Sequence, residues 1–305
     1  MTPRLRPFPA LGAAAALGLF AWACGNGSVN KNSGTGTSGG GSSGSTGGGS
    51  SSGGSTGGSN GVAVNYAGQI EAVQSLSPGV DGGPSAQSYT LTADFYPNIG
   101  GGGAGCSGSS VLGCCYAPSA GGGGANPVGA GTLTLVDGQQ SWPLPFDPTN
   151  GYGVLSAATW NPGVQLEVQA AGDPNGVAAF QVTAAAPVAL AGLSPNLTTG
   201  SVSISVNQDW TLAWAPGSPA AQSMVVSLGP VPGATTATPM GSITCTPNDG
   251  DGTVTFSAAL LANFQAGQTA QVSIARVNSA TATPSNASVI FQTSTVVNAA
   301  ATFTP

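Results

Sequence analysis

Histidine is absent from the chain, and lysine occurs once, as Lys31. Without histidine there is no Ser-His-Asp or Cys-His chemistry and no imidazole ligand for zinc within the chain. Charge of either sign is scarce, with four basic and ten acidic residues among 305. Clustered Lys and Arg, the footprint of nucleic-acid recognition, are therefore missing, and an anionic membrane surface gains no electrostatic attraction. Long helices are disfavoured by 50 glycines and 23 prolines, and no G-X-Y period turns that richness into collagen. What remains is a composition of turns, linkers and short strands.

The first 23 residues carry two arginines, Arg4 and Arg6, an apolar stretch from Leu11 to Trp22, and small residues after it. A basic start, an apolar run of about 12 residues and a small-residue cleavage site are the parts of a secretory signal. That run falls short of the roughly 20 apolar residues that span a bilayer. Removal of residues 1–23 would leave Lys31 and Arg276 against ten carboxylates, a mature net charge of about −8.

Ala21-Trp22-Ala23 is followed by Cys24. This junction resembles the lipobox of bacterial lipoproteins, in which the cysteine thiol takes a diacylglycerol group and becomes the first residue of the mature chain. The competing reading, Cys24 as half of a disulfide, closes a very long loop from a site with nothing to pack against. Acyl chains contribute roughly 0.8 kcal/mol per buried CH₂, which anchors a protein when two or three are present. Asn26, the third mature residue, implies, by the same resemblance, the outer membrane, with the periplasmic or external side left open. Membrane contact is expected through this lipid anchor only.

Residues 24–61 are the cysteine and then almost nothing but Gly, Ser, Thr and Asn. Such a tract cannot offset its backbone entropy by burying apolar surface, so a disordered tether is expected. About 37 coil residues give an end-to-end distance of about 30 to 37 Å.

Beyond residue 61 short alternating runs are separated by Gly, Pro, Asn and Asp. In SYTLTADFYP (88–97) the two-residue period puts Tyr89, Leu91, Ala93 and Phe95 on one face of a strand. Ten or more such runs at intervals of about 10 to 15 residues predict an all-β fold, one or two antiparallel β-sandwich, immunoglobulin-like domains. SAALLANF (257–264) alone reads as a capped helical turn. A Pro-, Gly- and Asn-rich stretch at 186–200 suggests domains near 62–190 and 200–305. Trp214 and Cys245 are placed to share one core in the second.

Four cysteines remain after Cys24: Cys106, Cys114, Cys115 and Cys245. An even count in an oxidising compartment favours two bridges, with three connectivities open. Adjacent Cys114 and Cys115 are poorly spaced to bridge each other. One of them is expected to meet Cys106 across SGSSVLG, and the other to meet Cys245 or stay a buried thiol. The competing zinc reading lacks paired C-x₂-C spacing, so no metal site is assigned. The block CSGSSVLGCCYAPSAGGGG, with TWNPG and LLANF further on, resembles a recurrent type of exported lipoprotein of high-GC bacteria. That resemblance carries no functional residue.

Candidate sites are few. Asn248-Asp249-Gly250-Asp251-Gly252 offers oxygen atoms to calcium, yet neither Glu71 nor Glu167 lies near to complete a ligand set, and a polar turn is the simpler reading. Glu167 with Asp173 or Asp94 is the carboxylate pair that would serve a glycoside hydrolase. Trp142, Tyr152 and Trp160 are the rings that could stack on a sugar or pack against a partner, set against the alternative of lids on a core. No catalytic constellation and no cofactor emerge. The resulting expectation is a non-enzymatic lipoprotein of the cell envelope that displays β-sandwich domains for adhesion or assembly, with an envelope protein or polysaccharide as partner and no nucleic acid. A carbohydrate-binding module is the alternative, and a carboxylate-dependent glycoside hydrolase stands third.

Overall fold

A computed structural model describes residues 66–77, 86–97, 110–111, 113–117, 127–231 and 240–305. Cys24, Cys106, the signal-like segment and the Gly/Ser tract lie outside the described residues. The fold is all-β. In chain order the first strands are β1 (Tyr66–Ser77), β2 (Ala86–Pro97), β3 (Ser110–Val111), β4 (Cys114–Ala117), β5 (Leu133–Val136) and β6 (Ser141–Leu144). Next come β7 (Phe146–Asp147), β8 (Gly151–Tyr152), β9 (Gln165–Ala170), β10 (Phe180–Ala185), β11 (Ser201–Ser205) and β12 (Trp210–Ala213). The chain ends with β13 (Ser223–Gly229), β14 (Ser242–Cys245), β15 (Thr253–Phe256), helix α1 (Ala258–Leu261), β16 (Thr269–Ala282) and β17 (Ala287–Thr304).

One sheet organises everything. Its order is β2-β1-β17-β16-β13-β14-β4-β3, with β11 also paired to β17. β16 and β17 form a hairpin of 14 and 18 residues, far longer than the mode of about 5 to 6 residues for a strand. β17 has two further partners end to end: β1 runs parallel to it from Tyr66↔Ala287 to Leu76↔Val297, and β11 parallel to it from Ser201↔Ala300 to Ser205↔Thr304. These parallel pairings are an addition to the antiparallel pattern expected from short alternating runs. They arise because β1 and β11 each reach β17 by a long connection and not by a tight turn.

Side chains on one face of β17 alternate inward, and they serve two hydrophobic clusters in turn. Val289 and Phe291 pack with Ile70, Leu91, Phe95, Leu133, Leu135, Leu166 and Val168, so the four-stranded sheet β10-β9-β5-β6 closes a first sandwich over this end of the hairpin. Val297, Ala299, Ala301 and Phe303 pack instead with Ile204, Leu212, Trp214, Val226, Phe256 and Leu261, where the β12–β15 pair closes a second sandwich. Ala282, Ala287, Val289 and Phe291 thus belong to the first cluster although the second cluster draws residues from both sides of them in the chain. The second sandwich has an immunoglobulin-like layout, with β11 at the sheet edge and β12 and β15 opposite. Trp214 and Cys245 do share its core.

Local chemistry explains the details. Gly68 lies across from Phe95 in the β1–β2 register, and a Cβ there would occupy the place of the Phe95 ring. α1 is one turn, with Ser257 at its N-cap and Gly267 beyond it at φ 88°.

Candidate functional site

The two clusters are separated by a polar belt on the same sheet face. Along the hairpin the inward positions between Ile274 and Ala282, and between Phe291 and Val297, include Arg276, Asn278, Thr293 and Thr295. Thr293 Oγ1 donates to the Ala185 carbonyl at 2.6 Å, Asn278 Nδ2 to the same carbonyl at 2.9 Å, and Thr295 Oγ1 to Pro187 O at 3.1 Å. Arg276 Nη1 reaches Ala189 O at 2.6 Å, and Nη2 donates to Ala215 O. The segment joining the sandwiches is therefore fastened to the sheet through its own carbonyls, which a buried crossing chain must otherwise leave unpaired.

Arg276 is 1% exposed and is balanced by Asp249, 2% exposed, at 3.2 Å. Asp249 also accepts from Trp214 Nε1 at 3.1 Å and from the Gly217 and Ala221 amides at 3.1 and 3.0 Å. Burial alone would raise this carboxyl. The Ala221 amide, the Arg276 charge and the Gly217 amide outweigh it and hold the group below the usual carboxylate range. Every strong donor and acceptor here is matched within the protein, so the cluster is a structural knot and not a site with spare chemistry.

The sequence candidates are distributed as follows. Asn248–Gly252 forms a capping turn in which Asp251 accepts from the Asn248 amide and Asp249 points inward to Arg276; Gly252 closes it at φ 64°. Among the described residues no group of three or more His, Cys, Asp or Glu gathers as a metal site would require. Cys114 is bonded to Cys245, its direct partner in the β4–β14 register. Cys115 is disulfide-bonded as well.

Trp160 is 4% exposed and meets Tyr89 edge-on with ring centroids 5.0 Å apart, so its faces are spent on packing. Tyr152 packs on Phe95 and Phe146, donates to Gly131 O at 2.5 Å and accepts from the Ala130 amide at 2.8 Å. Burial pushes its phenol up to about 12. Trp142, opposite Leu135 in the β5–β6 register, is half-buried against the first cluster. Two of these three rings are thus lids on the core, and Trp142 keeps a part of its surface outside.

Glu167 and Asp94 are not brought together. Leu166 and Val168 point into the first core from β9, which turns Glu167 to the outer side of that sheet; Ala93 and Phe95 do the same for Asp94 on the other sheet. The two carboxylates lie on opposite outer faces of one sandwich, whose sheets alone pack about 10 Å apart. Asp173 sits in the turn after β9, where it accepts from the Asn175 amide at 2.8 Å.

Sequence reasoning passed over β1, and with it Glu71. The signal was faint because β1 carries Gln69, Glu71 and Gln74 among its apolar residues, which breaks a clean alternation. In the register Gln69 lies across from Asp94, and Glu71 across from Thr92 on one side and Gln292 on the other. Gln69 Nε2 donates to Glu71 and to Gln292 Oε1, the latter at 3.0 Å. Glu71 is 9% exposed, and its carboxyl is raised by burial and by the nearby Asp94 charge, against the pull of the Gln69 bond. The patch sets amide donors and two carboxylates side by side on the outer sheet face, with Asp94 exposed and Glu71 buried.

Compared with protein-family models and with curated proteins, the chain matches none. Among the described residues no helix is long and apolar enough to cross a membrane.

Proposed function

We propose that the protein is a non-enzymatic lipoprotein of the cell envelope, held at the outer membrane through an acylated Cys24 and presenting its two β-sandwiches for adhesion or assembly. The observation that carries the display role is the β16–β17 hairpin, whose one face supplies core residues to both sandwiches. A shared hairpin with a fastened linker resists relative motion, which suits a surface held in fixed orientation and does not suit a cleft that opens and closes. The Cys114–Cys245 bridge, buried in the second core, supports folding in an oxidising, exported compartment.

Metabolic labelling with a palmitate analogue tests the anchor: wild type takes the label and Cys24→Ala loses it. Unlabelled wild-type protein refutes the anchor. Protease shaving of intact cells then reports whether the sandwiches face outward, and loss of cell adhesion or of an envelope assembly on deletion tests the display role.

A carbohydrate-binding module is the second reading, favoured by the Gln69–Glu71–Asp94–Gln292 patch and the half-buried Trp142. Specific glycan binding weakened by Asp94→Ala or Trp142→Ala supports it, and a blank glycan array favours display of a protein-binding surface.

A further inference from the structure

β15 pairs with β12 on one side, and these two strands make a sheet of their own. The Trp214 amide donates to Gly252 O, which fixes the ladder: Leu212↔Val254 and Trp210↔Phe256 are the hydrogen-bonded pairs. By the alternation of an antiparallel ladder, the N–H and C=O groups of Thr253 and Thr255 then point away from β12. The Thr255 carbonyl lies 3.9 Å from Cys114 Sγ. Among the described residues the Thr253 N–H and C=O and the Thr255 N–H meet no main-chain partner. Beside this edge runs a groove of about 410 Å³ lined by Gly113, Pro247, Asn248, Asp251, Thr253 and Thr255. Thr253, Asn248, Asp251 and Gly113 are exposed, so the groove opens to solvent.

We propose that the open edge of β15 docks an extended, cationic peptide strand from another protein, which extends the β12–β15 sheet by main-chain hydrogen bonds to Thr253 and Thr255 and sets a Lys or Arg against Asp251. An unpaired ladder edge is a template for strand addition, and main-chain bonds supply affinity while one side chain supplies selectivity. Asp251 is the single charged residue of the lining; one of its oxygens is held by Asn248, and nothing basic lines the groove. A second copy of this chain is a poor occupant, because Arg276, its one cation outside residues 1–31, is buried against Asp249. The chain's own Gly/Ser tract is a poor strand former. The proposal rests on the assembly reading for its purpose and on the β15 edge alone for its geometry.

The test uses the full-length protein in detergent and a short fluorescent peptide of alternating Thr and Val with one central Lys. Anisotropy is expected to rise on titration. Methylation of alternate peptide amides should weaken binding about tenfold or more, and Thr255→Pro, which deletes the outward N–H, should do the same. Asp251→Asn, or Glu in place of the peptide Lys, should weaken it several-fold and flatten the dependence on salt. No binding of the Lys peptide, equal binding of the methylated peptide, or self-association of the protein through this edge overturns the proposal. The peptide arms decide the matter even if Thr255→Pro fails to fold. Palmitate labelling fails or succeeds independently of these results, so loss of the anchor reading and loss of the groove are distinguishable.

Discussion

The two sandwiches share one hairpin but are closed by different means. The second is cross-linked by Cys114–Cys245 and bordered by the buried Asp249–Arg276 pair, with Trp214 joined to it. The first, among its described residues, has no ion pair and relies on aliphatic and aromatic packing, with Tyr152 as a hydrogen-bonded plug between Ala130 and Gly131. One region is held by covalent and charged contacts whose removal leaves buried groups unmatched. The other is held by many small contacts, none of which is decisive alone. The hairpin decides whether that difference stays local, and two tryptophans in each sandwich, Trp142 and Trp160 against Trp210 and Trp214, allow the two to be followed separately.

The largest effect is expected from Arg276→Leu. It strands the Asp249 carboxylate and frees the Ala189 and Ala215 carbonyls, at a cost of about 3–5 kcal/mol in urea unfolding. Both tryptophan pairs should shift together. A shift confined to Trp210 and Trp214 would break the idea that the hairpin couples the sandwiches. Next, Cys114→Ser combined with Cys245→Ser should cost about 2–5 kcal/mol, because 131 residues separate the bridged positions and the unfolded chain regains that freedom. Equal stability of the double variant would show the second sandwich to be closed by packing like the first.

Tyr152→Phe, on the first sandwich, should cost about 1–3 kcal/mol, since it leaves the Ala130 amide and the Gly131 carbonyl without their partner. Thermal unfolding measures it. A value as large as that of Arg276→Leu would erase the contrast between the two regions.

The smallest effects are those of pH, and their signs are opposite in the two regions. Asp249 is depressed in the folded state, so its contribution is present above the ordinary value of 3.8 and is lost as pH falls through its lower folded value. Glu71 is raised, so its contribution is present below 4.5 and is lost as pH rises through its higher folded value. Melting curves between pH 3 and pH 7 should therefore show Glu71→Gln losing less stability than wild type as pH rises above about 4.5. A variant that tracks wild type throughout that range would mean that Glu71 ionises at no cost.

Much of the strand inventory was legible because inward residues alternate cleanly. Tyr89, Leu91, Ala93 and Phe95 fall on one side of β2 as expected, and Leu133 with Leu135, or Leu166 with Val168, do likewise. β1 was not legible, since polar side chains occupy both its faces and its partner β17 lies more than 200 residues away in the chain. The lengths of β16 and β17 were hidden for a related reason: Arg276, Asn278, Thr293 and Thr295 interrupt the apolar pattern where the hairpin crosses from one core to the other. Nothing in the sequence around Arg276 marks a guanidinium that will be buried. Trp160 and Tyr152 stood as ligand candidates because their Pro- and Gly-rich surroundings resemble loops, and the competing reading of lids on a core is the one the fold takes.

By itself, the sequence determined the class of fold and the chemistry that is out of reach. Alternation with frequent turn residues specifies strands locally, and the absence of histidine removes whole mechanisms wherever the chain goes. Only the tertiary structure decided which carboxylates share a face, which cysteine meets Cys245, and that a single hairpin serves two cores. Those outcomes depend on pairings between residues far apart in the chain, where register and burial are set by the whole sheet and not by any neighbouring residue.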